Sequence, residues 1–371
     1  MIKFDKFEVI KKLGEGGMAR VFLIKGQNNA NYALKELKNE LLSDDVIVKR
    51  FYHESHSIKS FECENIIKII APTRWVKVFK DDRTIGKAYV YVMEYIEHLS
   101  LKDILLQKQL SIKDSLSAFA GLVTALEYGH SKGVVHRDVK PANLLIKDGS
   151  DLSQIVLTDF GIAKIHKSLK NEAGELTVEL SILGAPAYMS PEQISNSKKV
   201  TNKSDLYSAG IVLYEMLTSK KPFTGDKWDV IAQHKDPNLK PTPPQKLNPL
   251  VDKRINDLTL KLLEKNPKDR PRDAHEVLNL LSDFSTTTIS YSKKDFTQVI
   301  YKSNPGVKID YSHNGKLYTQ SYSNFPIKIG RYAQSAPNEL KFNLPPELKG
   351  VSRIHCEVFL KDNNQVFIKD S

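Results

Sequence analysis

Only two cysteines occur in 371 residues, Cys63 and Cys356. They lie too far apart for a zinc-ligand spacing and are too few for a small disulfide-stapled domain, so a reducing compartment is expected. No stretch approaches the roughly 18 uninterrupted apolar residues of a membrane span. The opening MIKFDKFEVI places charge where a signal peptide needs an apolar run. A cytoplasmic protein is therefore the expectation. There is no internal repeat, and no run of arginines is interleaved with aromatics. The net charge of +11 is spread out, with +3 over residues 307–371, +2 over 284–306 and +6 over the remainder. That distribution allows weak affinity for polyanions and gives no support to dedicated nucleic-acid or membrane recognition. Apolar material, by contrast, is ample: 40% of residues are hydrophobic, over a length suited to about two domains.

Alternation in FEVIKKL, VFLIK, YALKEL and YVYVMEY predicts an antiparallel sheet in the first hundred residues, interrupted by a helix near DDVIVKRFYHESHSIKSF. From Ser111 the pattern turns helical. Leu116, Phe119, Val123 and Leu126 recur at helical spacing, with Ser111 and Asp114 placed as a cap and Gly133 as a stop. Further helices are predicted at SDLYSAGIVLYEMLTS and DAHEVLNLLSDF. The stretch from Phe284 to about Gly306 is rich in Ser and Thr and reads as a linker. Strand patterns then return in VKIDY, FPIKIGR, HCEVFL and QVFIK.

Residues 134 to 146, VVHRDVKPANLLI, set Asp138, Lys140 and Asn143 between two apolar runs. The runs read as short buried strands, which would hold the polar island rigidly on a loop at the edge of a core. Upstream, LGEGGMARV carries Gly14, Gly16 and Gly17, whose missing Cβ atoms would let backbone amides approach a polyphosphate. A strand follows this loop rather than a helix, which argues against a dinucleotide fingerprint and a P-loop and leaves a strand-loop-strand lid. Lys35 alternates with apolar neighbours in YALKEL, Glu54 lies on the intervening helix, and Asp159 follows the apolar IVL in TDFG. Taken singly, each has a plainer reading: a hairpin turn, a solvated lysine, a surface glutamate, a turn aspartate.

Taken in order, the glycine loop, Lys35, Glu54, HRDVKPAN, DFG and SPE resemble the protein-kinase family, most closely the bacterial Hanks-type Ser/Thr kinases, over roughly residues 7 to 283. The resemblance implies an α+β, two-lobed kinase domain over residues 1–283, with a β lobe to about 95 and a helical lobe from about 96. It implies that Asp138 orients the substrate hydroxyl and accepts its proton, that Lys140 marks Ser/Thr specificity, and that Asn143 and Asp159 hold Mg²⁺, or Mn²⁺ in its place. Lys35, fixed by Glu54, would clamp the phosphates of ATP. Leu13, Gly14, Gly16, Gly17, Val21, Ala33, Glu94 and Ile96 would complete the nucleotide site, with Met93 as gatekeeper. Glu192 and Arg270 would form a structural ion pair, and Asp205 would brace the HRD loop. Arg137 would pair with a phosphorylated Thr177 or Ser181, Ser168 being the less favoured alternative. Two positions depart from the family pattern: Ala19 stands for the third loop glycine, and Ala185 for a threonine that bridges the catalytic Asp and Lys.

IKIGR at 327–331, VSRIHCEV at 351–358 and the terminal FIKDS resemble a forkhead-associated domain, a phosphothreonine-binding β-sandwich. The resemblance spans residues 307–371 and implies phosphate contacts from Arg331 and Ser352, with His355 bracing the loop. A partial sandwich, incomplete at its C-terminus, is expected after the 284–306 linker, whose Thr286 to Thr288 could themselves be ligands. The partners so implied are protein substrates and phosphothreonine proteins, and a homodimer is left open. The rival reading is a nucleotide-binding scaffold that transfers no phosphate; a small-molecule kinase ranks third.

Overall fold

The computed structural model describes residues 2–97, 99–148, 151–160, 186–196 and 199–284, and beyond these only strand backbones within 289–370. The chain divides into two compact units, Met1–Leu278 and Asn279–Ser371.

The first unit opens with six strands: β1 (Ile2–Phe4), β2 (Phe7–Glu15), β3 (Ala19–Lys25), β4 (Asn31–Leu37), β5 (Ile69–Lys80) and β6 (Arg83–Glu94). All neighbouring pairs are antiparallel, in the order β1-β2-β3-β4-β6-β5. The short β1 bonds to both β2 and β5 and closes the sheet into a barrel. Alternating apolar residues fill it, among them Phe4, Phe7, Ile24, Leu34, Val76 and Val90. The predicted helix is α1 (Asp45–Ile58), started by Asp44, whose carboxylate accepts from the backbone N–H groups of Val46 and Ile47.

Helices follow: α2 (Leu101–Gln107), α3 (Ile112–Ser131), α4 (Pro191–Ser195), α5 (Asn202–Thr218), α6 (Lys227–Lys235), α7 (Pro244–Leu247), α8 (Lys253–Leu262) and α9 (Ala274–Phe284). Ser111 caps α3 as expected, accepting from Asp114 N at 3.0 Å. Gly133, at φ +75°, ends it: Gly133 N donates to His130 O and Val134 N to Gly129 O, the paired bonds of a Schellman stop. This overturns half of the expected bracket around HRDVKPAN. Val134 spends its N–H on the helix end, and Val134 and Val135 form no strand, whereas Leu144–Asp148 forms β7 and pairs with β8 (Asp151–Leu157). The ribbon lies against α3 at Gly121, where a Cβ would meet Ile155 Cγ2 at 2.7 Å. Among the described residues no helix is long and apolar enough to cross a membrane.

In the second unit, β9 (Ile289–Lys293), β10 (Phe296–Lys302), β11 (Val307–His313) and β12 (Lys316–Tyr322) form one antiparallel sheet. The linker expected over 284–306 is thereby corrected. The β-formers Ile289, Tyr291, Val299, Ile300 and Tyr301 favour strands that its Ser/Thr content obscured, and the two strands pair with Ile289 opposite Ile300. Thr286 to Thr288 lie outside the described residues. A second sheet has the order β14-β13-β15-β16, from β13 (Ile327–Ile329), β14 (Leu340–Lys341), β15 (Cys356–Leu360) and β16 (Val366–Asp370).

Candidate active site

Strand register assembles the first half of the site. Gly14 faces Val21, Val21 faces Lys35, and Lys35 faces Tyr91, a single row across β2, β3, β4 and β6. Two residues along each strand, on the same face, Ala33 stands opposite Met93. The expected nucleotide-facing residues Val21, Ala33 and Lys35 thus share a face with the expected gatekeeper. Leu13 sits at a bulge of β2 and is exposed. A Cβ at Gly14 or Gly17 would meet nothing within 4 Å, and one at Gly16 would only touch Ala19 O at 3.9 Å. Internal packing therefore does not demand these glycines, and the open space above them fits a ligand that needs close backbone approach. At the end of β6, Glu94 accepts from Lys68 N at 2.9 Å, and half-buried Ile96 follows.

Lys35 Nζ bonds Glu54 Oε1 at 2.7 Å and Asp159 Oδ1 at 2.9 Å. Burial would push the Lys35 ammonium down, but the carboxylates of Asp159 and Glu54 hold it well above its ordinary range. The Glu54 carboxyl is raised by burial despite Lys35, whereas pairing with Lys35 lowers Asp159 against its own desolvation. Sequence reasoning missed Tyr91, whose hydroxyl donates to Glu54 Oε1 at 2.8 Å.

The second half is the loop between α3 and β7. Lys140 Nζ donates to Asp138 Oδ2 at 2.8 Å, and Asn143 Nδ2 donates to Asp138 O at 2.9 Å and to Asp138 Oδ2 at 3.1 Å. Asp159 comes to the same end of the β7–β8 ribbon, because Leu144 pairs with Leu157 and Thr158 N donates to Asn143 O at 2.9 Å. His136, fully buried, ties the two segments. It accepts from Asp138 N at Nδ1, so it is the Nε2–H that donates to Thr158 O. Burial pushes its pKa down, in keeping with a neutral ring.

Asp205 braces this loop from the first turn of α5. Its carboxylate accepts from His136 N and Arg137 N, both at 2.7 Å, and contacts His130 Nε2 at 2.8 Å. Arg137 is held at φ +66°, an uncommon state for a residue with a Cβ. Both of its backbone polar groups are satisfied, the carbonyl by Gln193 Nε2 at 2.8 Å, a contact with no local sequence signal. The expected pair of Glu192 and Arg270 is present and buried, at 2.7 and 3.0 Å. Arg270 also donates to the carbonyls of Glu264, Lys203 and Lys265.

The donor set at the ribbon end, the carboxylate of Asp159 with the side-chain oxygen of Asn143, is made of hard oxygens. Among the described residues there is no cluster of three or more His, Cys, Asp or Glu to cage a metal. Two such oxygens would suit Mg²⁺, which keeps waters and is commonly held by one or two protein oxygens together with phosphates. Ser168, Thr177, Ser181, Ala185, Arg331, Ser352 and His355 lie outside the described residues.

Comparison with known proteins agrees with this geometry. The profile of the family described as protein kinase domain matches residues 7–280. A probable serine/threonine-protein kinase of Clostridium perfringens is 33% identical over 305 residues, covering 80% of this chain and 42% of that protein. The serine/threonine-protein kinase PrkC of Bacillus subtilis is 33% identical over 278 residues, covering 73% and 39%. The chain thus spans about two fifths of the length of these relatives. The crystal structure of Rad53 1-466 in complex with AMP-PNP has a similar fold, with TM-score 0.56 and 23% identity, over 74% of this chain and 64% of that one. The glycine loop, the Lys35–Glu54 pair, the Asp138 loop and the family match converge: this chain belongs to the protein kinase domain family.

Proposed function

We propose that the chain is a serine/threonine protein kinase, transferring the γ-phosphoryl group of ATP to protein hydroxyls. The observation that carries this reading is Asp138 with Lys140 and Asn143 each bonded to it within 3.1 Å, at the same ribbon end as the Lys35-bound Asp159. Asp138 orients the acceptor hydroxyl and takes its proton, a role worth about 10² to 10⁴ in rate. Lys140, already on Asp138 Oδ2, neutralises charge between that carboxylate and the transferred group. Lys35 leaves its contact with Asp159 to hold the α- and β-phosphates while Glu54 keeps its amine in place. Mg²⁺, when bound by Asp159 and Asn143, supplies positive charge to the phosphate oxygens.

The direct 2.8 Å contact between Lys140 and Asp138 supports activity despite Ala185, since the two groups meet without a bridging hydroxyl. Ala185 is also the feature that favours the alternative, a nucleotide-binding scaffold. Incubating the chain with labelled ATP, Mg²⁺ and a generic basic protein separates the two. Label on serine and threonine supports the kinase; nucleotide binding with no label supports the scaffold.

Two finer readings accompany the first. Arg137 pairs with phosphate on Thr177 or Ser181, so that replacing both by alanine lowers activity; unchanged activity would remove the idea. The second unit binds phosphothreonine through Arg331 and Ser352. Supporting this, Ile329 pairs with Cys356, so the C-terminal end of β13 and the N-terminal end of β15 lie side by side. Titrating the chain with phosphothreonine and unmodified peptides tests it, and equal affinities would reject it.

A further inference from the structure

Tyr91 interacts with both members of the Lys35–Glu54 pair. Register sets it directly across β4 from Lys35. Its hydroxyl donates to Glu54 Oε1 at 2.8 Å, the oxygen that also accepts from Lys35 Nζ at 2.7 Å. Lys35 Nζ lies 5.6 Å from the Tyr91 ring centroid. Tyr91 is 2% exposed and Glu54 4%, so water does not substitute for either partner. We propose that the Tyr91 hydroxyl is a positioning group for phosphoryl transfer, fixing the Glu54 carboxylate so that Lys35 is presented to the nucleotide phosphates. The inference rests on the kinase reading.

Two alternatives are weaker. Packing explains the ring, which lies 5.2 Å from that of Phe51 of α1, but a phenylalanine would pack as well. Anchoring of α1 as a whole does not need the hydroxyl either. The helix is separately tied to β5 by Ser55 Oγ and Thr73 Oγ1 at 2.6 Å, by Thr73 N to Ser55 Oγ at 2.8 Å and by Thr73 Oγ1 to Phe51 O at 3.1 Å. What remains for the hydroxyl is a second hold, beside Lys35, on the orientation of one carboxylate. It does so as a permanent donor, since burial and the neighbouring Glu54 charge push its own ionisation well above the ordinary tyrosine range.

The test is a double-mutant cycle of Tyr91→Phe and Glu54→Ala in the full chain, read in two ways. In steady-state transfer, Tyr91→Phe lowers kcat about tenfold with the KM for protein substrate unchanged, the loss typical of one hydrogen bond to a charged group. In the Glu54→Ala background it causes no further loss. The second readout needs no activity: acylation of Lys35 by an amine-directed reagent without nucleotide, quantified by mass spectrometry. Tyr91→Phe accelerates labelling when Glu54 is present and not when it is absent. Equal effects of Tyr91→Phe in both backgrounds, or none in either, would overturn the proposal. If the wild type transfers no phosphate, the kinase reading fails while the labelling cycle still decides what the hydroxyl does.

Discussion

Asp205→Asn tests how the Asp138 loop is held. The carboxylate is 1% exposed and accepts from His136 N, Arg137 N and His130 Nε2, all within 2.8 Å. An asparagine has one oxygen to offer and turns its NH₂ toward a remaining donor. At least one charge-assisted bond is lost and one buried N–H is left unpaired. Hydrogen bonds to charged groups contribute about 1.5–3 kcal/mol each, so a loss of about 2–5 kcal/mol is expected from a total of about 5–15. Transfer activity should fall further than stability requires, because Arg137 at φ +66° loses the partner of its N–H and Asp138 is the next residue. A displacement near 1 Å costs about 10²-fold in rate. The pH dependence carries a sign. Burial raises the Asp205 pKa, but the bond and charge of His130, with His136 and Arg137, outweigh it and leave the pKa below its ordinary value. The wild-type advantage is therefore fully present above about pH 4 and fades as pH falls through the depressed pKa. Urea unfolding at pH 7 and pH 3, with transfer assays at pH 7, measures all of this. A loss below about 0.5 kcal/mol with unchanged transfer would refute the bracing argument.

Gly16→Val should leave urea stability within about 0.5 kcal/mol of wild type, because its Cβ has only ordinary contact, while weakening nucleotide binding by calorimetry; unchanged affinity would mean the loop does not approach phosphate. Arg270→Ala should cost about 3–5 kcal/mol, since Glu192 is left buried with Ser204 as its remaining side-chain donor; an unchanged unfolding midpoint would contradict that. Lys265, bonded to Gln233 O at 2.6 Å, has its pKa lowered by burial to about 8. The folded state then disfavours the ammonium, so stability should rise between about pH 8 and 10.5. Lys265→Met should remove that rise; parallel pH curves for the two proteins would count against it.

Much of the site was legible because its signals are local. HRDVKPAN sets Asp138, Lys140 and Asn143 within six residues and TDFG sets Asp159 beside a glycine turn, and the Ser111 cap and Gly133 stop are short-range chemistry. Alternation in YALKEL was enough to place Lys35 and Ala33 on one face. What the sequence concealed is what depends on which strand lies beside which. Nothing local announces that Tyr91 faces Lys35 across β4 and β6, that Gln193 reaches the Arg137 carbonyl, or that three residues at the N-terminus close a barrel. Val134 and Val135 misled because β-branched residues favour a strand only when their N–H groups are free to pair. The 284–306 stretch misled because serine and threonine content was weighed above its β-branched and aromatic residues, Ile289, Tyr291, Val299, Ile300 and Tyr301.

The most direct test of the account compares wild type with Asp138→Asn in single-turnover transfer from labelled ATP, with nucleotide affinity measured on both by calorimetry. The substitution keeps the side-chain volume and removes the proton acceptor. The account predicts equal nucleotide affinity and a transfer rate lowered by about 10² to 10⁴. Transfer at the wild-type rate from Asp138→Asn would contradict it.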